Sequence, residues 1–370
     1  MARLRVGLVG YGFIAAQGHV PALVARAREV GDVELVAVAD ICAARRQLAR
    51  SALPGVRVYS DHEALLAAER GRLDLVDIAI PPAAHAGVAH AALGSGLHVL
   101  CEKPLAVSTR EASLLLEHAK AARRVIFPCH NYKHAPVVKA VRSLINSGRI
   151  GSVKLVTLNT LRNTHAKGVP EWNTDWRRQR RHAGGGIAMD HGSHSFYLAF
   201  EWLGAAPLAV TAKMSTLGAW DTEDNFSCTI TFPSGLATAQ LTWTAGVRKV
   251  IYTIQGERGG ITVDDDEVSV ASQRQNGSGG WEVERIRVAS DWADASHVAW
   301  FGSLLDQVVQ AVREGDFVGK EAREALMCVH LIERAYDSAA RSCVEVRLDS
   351  EALLSAARAP VERARRSPSG

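Results

Sequence analysis

Apolar runs alternate with more polar stretches through the first third of the chain. Residues 4–9, 33–39, 75–80, 97–101 and 124–129 are short and mostly apolar, with a shorter run at 56–59, and each reads as a strand. Between them, 15–29, 61–70, 86–94 and 109–122 read as helices, and Pro21 is expected to kink the first. The run from Leu75 to Ile80 is almost wholly apolar, as in a parallel sheet covered on both faces. The pattern predicts a doubly wound α/β unit over 1–129.

Beyond residue 130 the rhythm changes. A helix at 136–147 ends at Gly148, and 150–161 alternates like a strand. A long polar loop, 163–182, leads to Gly184-Gly185-Gly186 and a helix from Ile187 to Phe200. From Leu208 to Val288 short alternating runs repeat, as in 226–232, 237–243 and 250–255, separated by turns such as Pro233-Ser234-Gly235. This predicts an antiparallel meander, with the cluster Asp264-Asp265-Asp266-Glu267 as a solvated hairpin turn. Helices at 296–314 and 320–341 are expected to close this second unit, 130–348, leaving a C-terminal helix and a frayed basic tail over 349–370. An antiparallel sheet can cover one face with helices and offer the other to a neighbour. A homodimer or homotetramer through that sheet is expected.

Composition narrows the field. The 370 residues are 47% hydrophobic and 22% charged, ordinary globular values with length for two cores. The net charge of +4 gathers at Arg177, Arg178, Arg180 and Arg181 and in the tail, so nucleic acid is not an expected partner. The six cysteines are scattered with no C-x-x-C pair, which suits a reducing compartment, and a cytoplasmic location is expected. No signal segment and no membrane span are expected.

The chemistry sits where the predicted strands end. Gly10-Tyr11-Gly12-Phe13-Ile14-Ala15 is G-x-G-x-x-A directly after a strand. Gly10 allows the tight turn, Gly12 lets a pyrophosphate approach, and Ala15 is small enough for the third position. Asp40 ends the next strand, about 25 residues on, and can accept the adenosine ribose hydroxyls. That favours NAD; Arg45 and Arg46 leave NADP as the alternative. Pro81-Pro82-Ala83-Ala84-His85 and Glu102-Lys103-Pro104 follow two further strands, on the side where open α/β sheets bind ligands. There Lys103 could polarise a carbonyl or stabilise an alkoxide, the alternative being a plain surface lysine. Pro104 could hold a cis bond that aims it.

The glycine triplet leaves its turn uncovered by side chains, so that something can come close. On the helix after it, Asp190 and His194 lie one turn apart on one face. A carboxylate there can orient an imidazole and raise its basicity, giving a general base; the alternative is a satisfied core histidine. Trp172, Trp176 and Arg177 in the polar loop suit a sugar, with flat apolar faces beside hydrogen-bonding groups. The Arg177–Arg181 run could hold an anionic substrate group or sit at a subunit contact, the alternative for Arg178, Arg180 and Arg181 being a solvated basic face. Asn131 and Tyr132 are candidate cofactor and substrate contacts, or else a polar turn. A metal at His182, Asp190, His191 and His194 is set aside for want of an H-E-x-x-H motif, so no metal is expected.

Taken together, Gly10-x-Gly12-x-x-Ala15, Asp40, Pro81-Pro82-x-x-His85, Glu102-Lys103-Pro104 and Gly184-Gly185-Gly186-x-x-x-Asp190-x-Gly192-x-His194 resemble the Gfo/Idh/MocA oxidoreductases, relatives of glucose–fructose oxidoreductase and inositol 2-dehydrogenase. The likeness runs to about Leu348. It implies a Rossmann domain followed by an α/β domain on a large, mostly antiparallel sheet. It matches Lys103, Asp190 and His194 to the family's catalytic trio, and Gly10, Gly12, Asp40, Pro81, His85, Glu102 and Lys103 to its cofactor-contacting positions. The expected function is NAD-dependent oxidoreduction of a secondary hydroxyl on a sugar, sugar derivative or cyclitol. Two alternatives stay open: an NAD-retaining glycosidase or eliminase that oxidises transiently, and a silent NAD-binding regulatory protein.

Overall fold

The computed structural model describes residues 3–274, 280–288 and 296–358. The expected frayed tail, 359–370, lies outside the described residues.

Six strands form the first sheet: β1 (Leu4–Val9), β2 (Val33–Ala39), β3 (Arg57–Tyr59), β4 (Leu75–Ile78), β5 (His98–Cys101) and β6 (Ile126–Pro128). Their order is β3-β2-β1-β4-β5-β6, and every pair is parallel. The chain winds outward in both directions from β1 and β4, which places the crevice for a ligand at their carboxyl ends. All four residues of β4 are buried, as the apolar run required. The first helical stretch is not kinked by Pro21. It opens with a π-helical turn, Ala15–His19, and Pro21 sits in the first turn of the α-helix Val20–Glu29, where a missing N–H costs least.

Nine strands form the second sheet: β7 (Val153–Leu161), β8 (Ala209–Ser215), β9 (Asn225–Phe232), β10 (Gly235–Thr242), β11 (Lys249–Gly256), β12 (Gly259–Asp264), β13 (Glu267–Gln273), β14 (Trp281–Arg287) and β15 (Val346–Arg347). The order is β14-β13-β12-β11-β7-β10-β9-β8-β15. The meander is therefore interrupted. β7 enters between β10 and β11 and runs parallel to β10. Alternation along one strand reports which face is buried, not which strand lies alongside, so this insertion left no local trace. The Asp264–Glu267 turn is as expected, with Asp265 at φ 49° between β12 and β13.

One face of this sheet is the floor of the largest core. Phe226, Ile230, Leu241, Tyr252 and Ile254 meet the helices Pro136–Asn146, Ile187–Leu203 and Lys320–Ala340 there. Each such side chain contributes about 1.5–3 kcal/mol on leaving water. The other late helix, Val298–Glu314, sends Trp300 into this core but turns much of its buried face elsewhere. Its Phe301, Leu304, Leu305 and Val308 pack with Val6, Leu23, Val33 and Phe127 of the first sheet and its helix.

Candidate active site

The dinucleotide turn is built as its glycines require. Gly10 has φ +94°, and a Cβ there would stand 2.4 Å from the Ala79 carbonyl oxygen. A Cβ on Gly12 would meet nothing within 4 Å, so this face is open to an approaching phosphate. Phe13 is exposed beside it, whereas Ile14 packs down into the core. Asp40 stands at the end of β2, its carboxylate accepting from the Tyr11 and Cys42 N–H groups at 2.7 Å each. Arg45 donates to the Tyr11 carbonyl, and Arg46 to the Asp40 and Ile41 carbonyls, so both guanidinia brace the loop. An open glycine turn and a carboxylate at the next strand end are the groups a dinucleotide needs.

Under this turn lies a charged group that the sequence reading missed. The π-helical turn carries His19 into the interior, where Nδ1 is 2.8 Å from Asp77 and Nε2 3.1 Å from Glu102. Burial pushes the imidazole down, but the two carboxylates together override it and raise His19 to about 10. The signal was Asp77 itself: a carboxylate inside an apolar strand has to be paired. The other Glu102 oxygen accepts from the Lys103 N–H. His85 lies between the Pro104 and Ile80 carbonyls, at 2.7 and 2.8 Å. Burial lowers His85, so the neutral ring has a single N–H and donates to one of these two carbonyls. The Lys103–Pro104 peptide is cis, and Pro81 leads into a short 3-10 turn.

Lys103 and Asp190 meet. The Lys103 ammonium donates to the Asp190 carbonyl at 2.7 Å and lies 3.2 Å from its carboxylate. Arg177 Nε approaches the same carboxylate at 3.5 Å and His191 Nδ1 at 3.2 Å. Burial would raise Asp190, but Lys103, Arg177 and His191 hold it well below the usual carboxylate range. Asp190 does not hydrogen-bond to His194. The His194 Nδ1 partner is the Tyr197 hydroxyl at 2.6 Å, three residues on along the same helix. The Tyr132 ring stacks on His194 with centroids 3.8 Å apart. Burial first, then Lys103 and His191, push His194 well below the ordinary imidazole value against the pull of Asp190. The imidazole is therefore neutral near pH 7. Asn131 is buried in the 3-10 turn Asn131–His134 that delivers Tyr132.

The glycine triplet is occupied by the protein itself. A Cβ on Gly185 would meet the Tyr336 hydroxyl at 2.0 Å, and one on Gly186 the Glu223 backbone at 2.0 Å. The Glu223 carboxylate accepts from the Gly186 and Ala188 N–H groups and from the Tyr336 hydroxyl. The expected visitor is thus an acidic cap on the helix that carries Asp190 and His194.

The loop before it divides. Arg177 stacks on Trp176 at 4.1 Å and reaches Asp190, which brings both residues to the cluster. Trp172 packs edge-on to His182, on another part of the loop. Arg178 corrects the expectation of a solvated face: it is buried, ion-paired with Asp224, bonded to His165 and laid over Trp243. Arg180 is tied to Asp221, and Arg181 is exposed.

Two family descriptions match this chain: an NAD-binding Rossmann fold of the oxidoreductase family over residues 4–130, and that family's C-terminal α/β domain over 142–347. Among curated relatives, levoglucosan dehydrogenase of Pseudarthrobacter phenanthrenivorans is 30% identical over 299 residues, which is 78% of this chain and 69% of that protein. D-glucoside 3-dehydrogenase of Escherichia coli K12 is 29% identical over 248 residues, 63% and 68% of the two chains. Among solved structures, GenD2 from gentamicin A biosynthesis, in complex with NAD, superposes with a TM-score of 0.79 at 27% identity, covering 94% of this chain and 97% of its own. The glycine turn, the carboxylate beside it and these matches agree, and the chain belongs to the Gfo/Idh/MocA family of NAD-dependent oxidoreductases.

Proposed function

We propose that this enzyme interconverts a secondary alcohol and a ketone on a sugar, sugar derivative or cyclitol, with Lys103, Asp190 and His194 at the reacting oxygen. The observation that carries the reading is the meeting of Lys103 from the first half with Asp190 from the second, 3.2 Å apart beside His194. The relatives named for D-glucoside and levoglucosan support a sugar substrate. NAD, when bound, supplies the hydride acceptor. In oxidation, the hydroxyl proton passes to His194 Nε2 while the Lys103 ammonium stabilises the developing alkoxide. Asp190 keeps that ammonium and the Arg177 guanidinium in place. Tyr132, Trp176 and Arg177 line the substrate side, and Asn131 borders the nicotinamide.

His194→Ala should lower turnover by about two decades or more, since general acid–base terms are roughly 10²–10⁴-fold. NAD affinity by calorimetry should stay nearly unchanged. Full activity in that variant, read as NADH formed across a panel of sugars and cyclitols, would sink the assignment.

We further infer a homo-oligomer through the outer face of the second sheet. Leu155 on β7 and Leu236 on β10 are register partners there, and both are exposed. Leu236→Glu should shift the assembly to monomer in sedimentation velocity, and an unshifted assembly would overturn the inference.

A further inference from the structure

The reading of His194 as the group at the substrate oxygen leaves open which ring nitrogen holds its proton. Tyr197 decides this. Its hydroxyl has one hydrogen to give and two lone pairs to offer. The Tyr132 N–H donates to that oxygen at 3.2 Å, which uses one lone pair. The only other polar partner of the hydroxyl among the described residues is His194 Nδ1, at 2.6 Å. The ring cannot turn away from it. Tyr197 is fully buried, with the His130 ring 4.3 Å from its own and the Lys133 ammonium 5.7 Å away. These two are fixed in turn by Glu321, 3.2 Å from His130 and 2.7 Å from Lys133, and Lys133 is also paired with Glu324. Burial raises the Tyr197 hydroxyl well above its ordinary value, so its hydrogen stays on.

Were Nδ1 the protonated nitrogen, it and the Tyr132 N–H would both point at the Tyr197 oxygen. The tyrosine's own hydrogen would then be buried with no acceptor. Were Nδ1 bare, every group would be satisfied, because the hydroxyl donates to it. We infer that Tyr197 is a positioning residue that fixes His194 as the tautomer protonated at Nε2, so that the resting site offers the substrate oxygen an N–H donor. The inference rests on the reading that His194 faces that oxygen.

A carbonyl oxygen is the natural partner of such a site, since it accepts and has nothing to give. The Nε2–H group and the Lys103 ammonium can both donate to it. An alcohol that must pass its proton to His194 needs Nε2 bare and therefore uses the minor tautomer. An unsatisfied buried donor corresponds to a bias of about 5–150-fold. Apparent alcohol binding is weakened by that fraction, whereas ketone binding is not. The groups that face His194 are Tyr132, Tyr197, Lys103, Asp190, His191 and His130, so its charge state depends on all of them.

The test has two arms. Nitrogen-15 spectra of the histidine-labelled wild-type enzyme, with the His194 signals assigned by difference from His194→Gln, should show a protonated Nε2 and a bare Nδ1 near pH 7. A protonated Nδ1, or a doubly protonated ring, overturns the inference while leaving the proposed reaction standing. In Tyr197→Phe the tautomer preference is released. The apparent KM for the alcohol should fall relative to that for the ketone by at least about fivefold. The acid limb of the kcat/KM profile should move up towards the ordinary imidazole value. A merely structural role for Tyr197 would lower activity with both ratio and profile unmoved, and that result also overturns the inference. Should Tyr197→Phe fail to fold, the spectrum of the wild-type enzyme decides alone.

Discussion

Two buried histidines, one in each half of the molecule, end in opposite states. His19, beneath the dinucleotide turn, is flanked by Asp77 and Glu102 and raised to about 10. His194, at the substrate oxygen in our reading, is flanked by a tyrosine hydroxyl and an aromatic ring and held well below the ordinary value. Burial acts on both in the same direction, so it does not explain the difference. The partners do: two carboxylates override the loss of water at His19, whereas at His194 Lys103 and His191 add to it and Asp190 does not override them. His19 is a cation at neutral pH that holds Glu102 beside Lys103, and His194 is a neutral group.

The most severe way to break this contrast is to remove the cation. His19→Leu leaves two buried carboxylates unpaired and should cost about 3–5 kcal/mol in equilibrium urea unfolding. His19→Leu within 1 kcal/mol of wild type would mean that Asp77 and Glu102 are not held by charge. A gentler approach reads the two groups by pH. The His19 value is raised on folding, so its stabilisation is complete below the unfolded imidazole value of about 6.5 and is lost as pH rises through about 10. The His194 value is lowered on folding, so the chain loses stability on the acid side, as pH falls below about 6.5. Thermal midpoints should therefore decline on both flanks, with His19→Gln flattening only the alkaline flank and His194→Gln only the acid one. The same flank lost in both variants would erase the comparison. The smallest effect is expected of Glu102→Gln, which leaves His19 with one carboxylate and should bring the alkaline decline to lower pH without abolishing it. An unmoved alkaline midpoint would assign the whole shift to Asp77.

The contrast also marks what could be read along the chain. Gly10, Gly12 and Asp40 were legible because local backbone geometry demands those residues at that spacing. The parallel sheet was legible because wholly apolar runs such as Leu75–Ile78 have few other uses. Lys103 and Asp190 lie together as expected, but the Asp190 contact expected to orient His194 is replaced by Tyr197, since helical spacing gives a shared face and not a shared proton. Tyr197 sits three residues from His194 and reads as one more apolar position on the helix. Glu223 and Arg178 were missed for a common reason: a charged residue shows nothing of its burial until a partner far along the chain is known, here Gly186 and Asp224. The insertion of β7 beside β10 depends on contacts between residues about eighty positions apart, which no periodicity reports.

The helix Val298–Glu314 has a practical bearing on how the enzyme can be divided. It comes from the end of the chain yet roofs the apolar patch of Val6, Leu23, Val33 and Phe127. A fragment stopped at residue 130 would carry that patch bare into water and clump. Any chimera that exchanges the first half between relatives has to bring this late segment along with it.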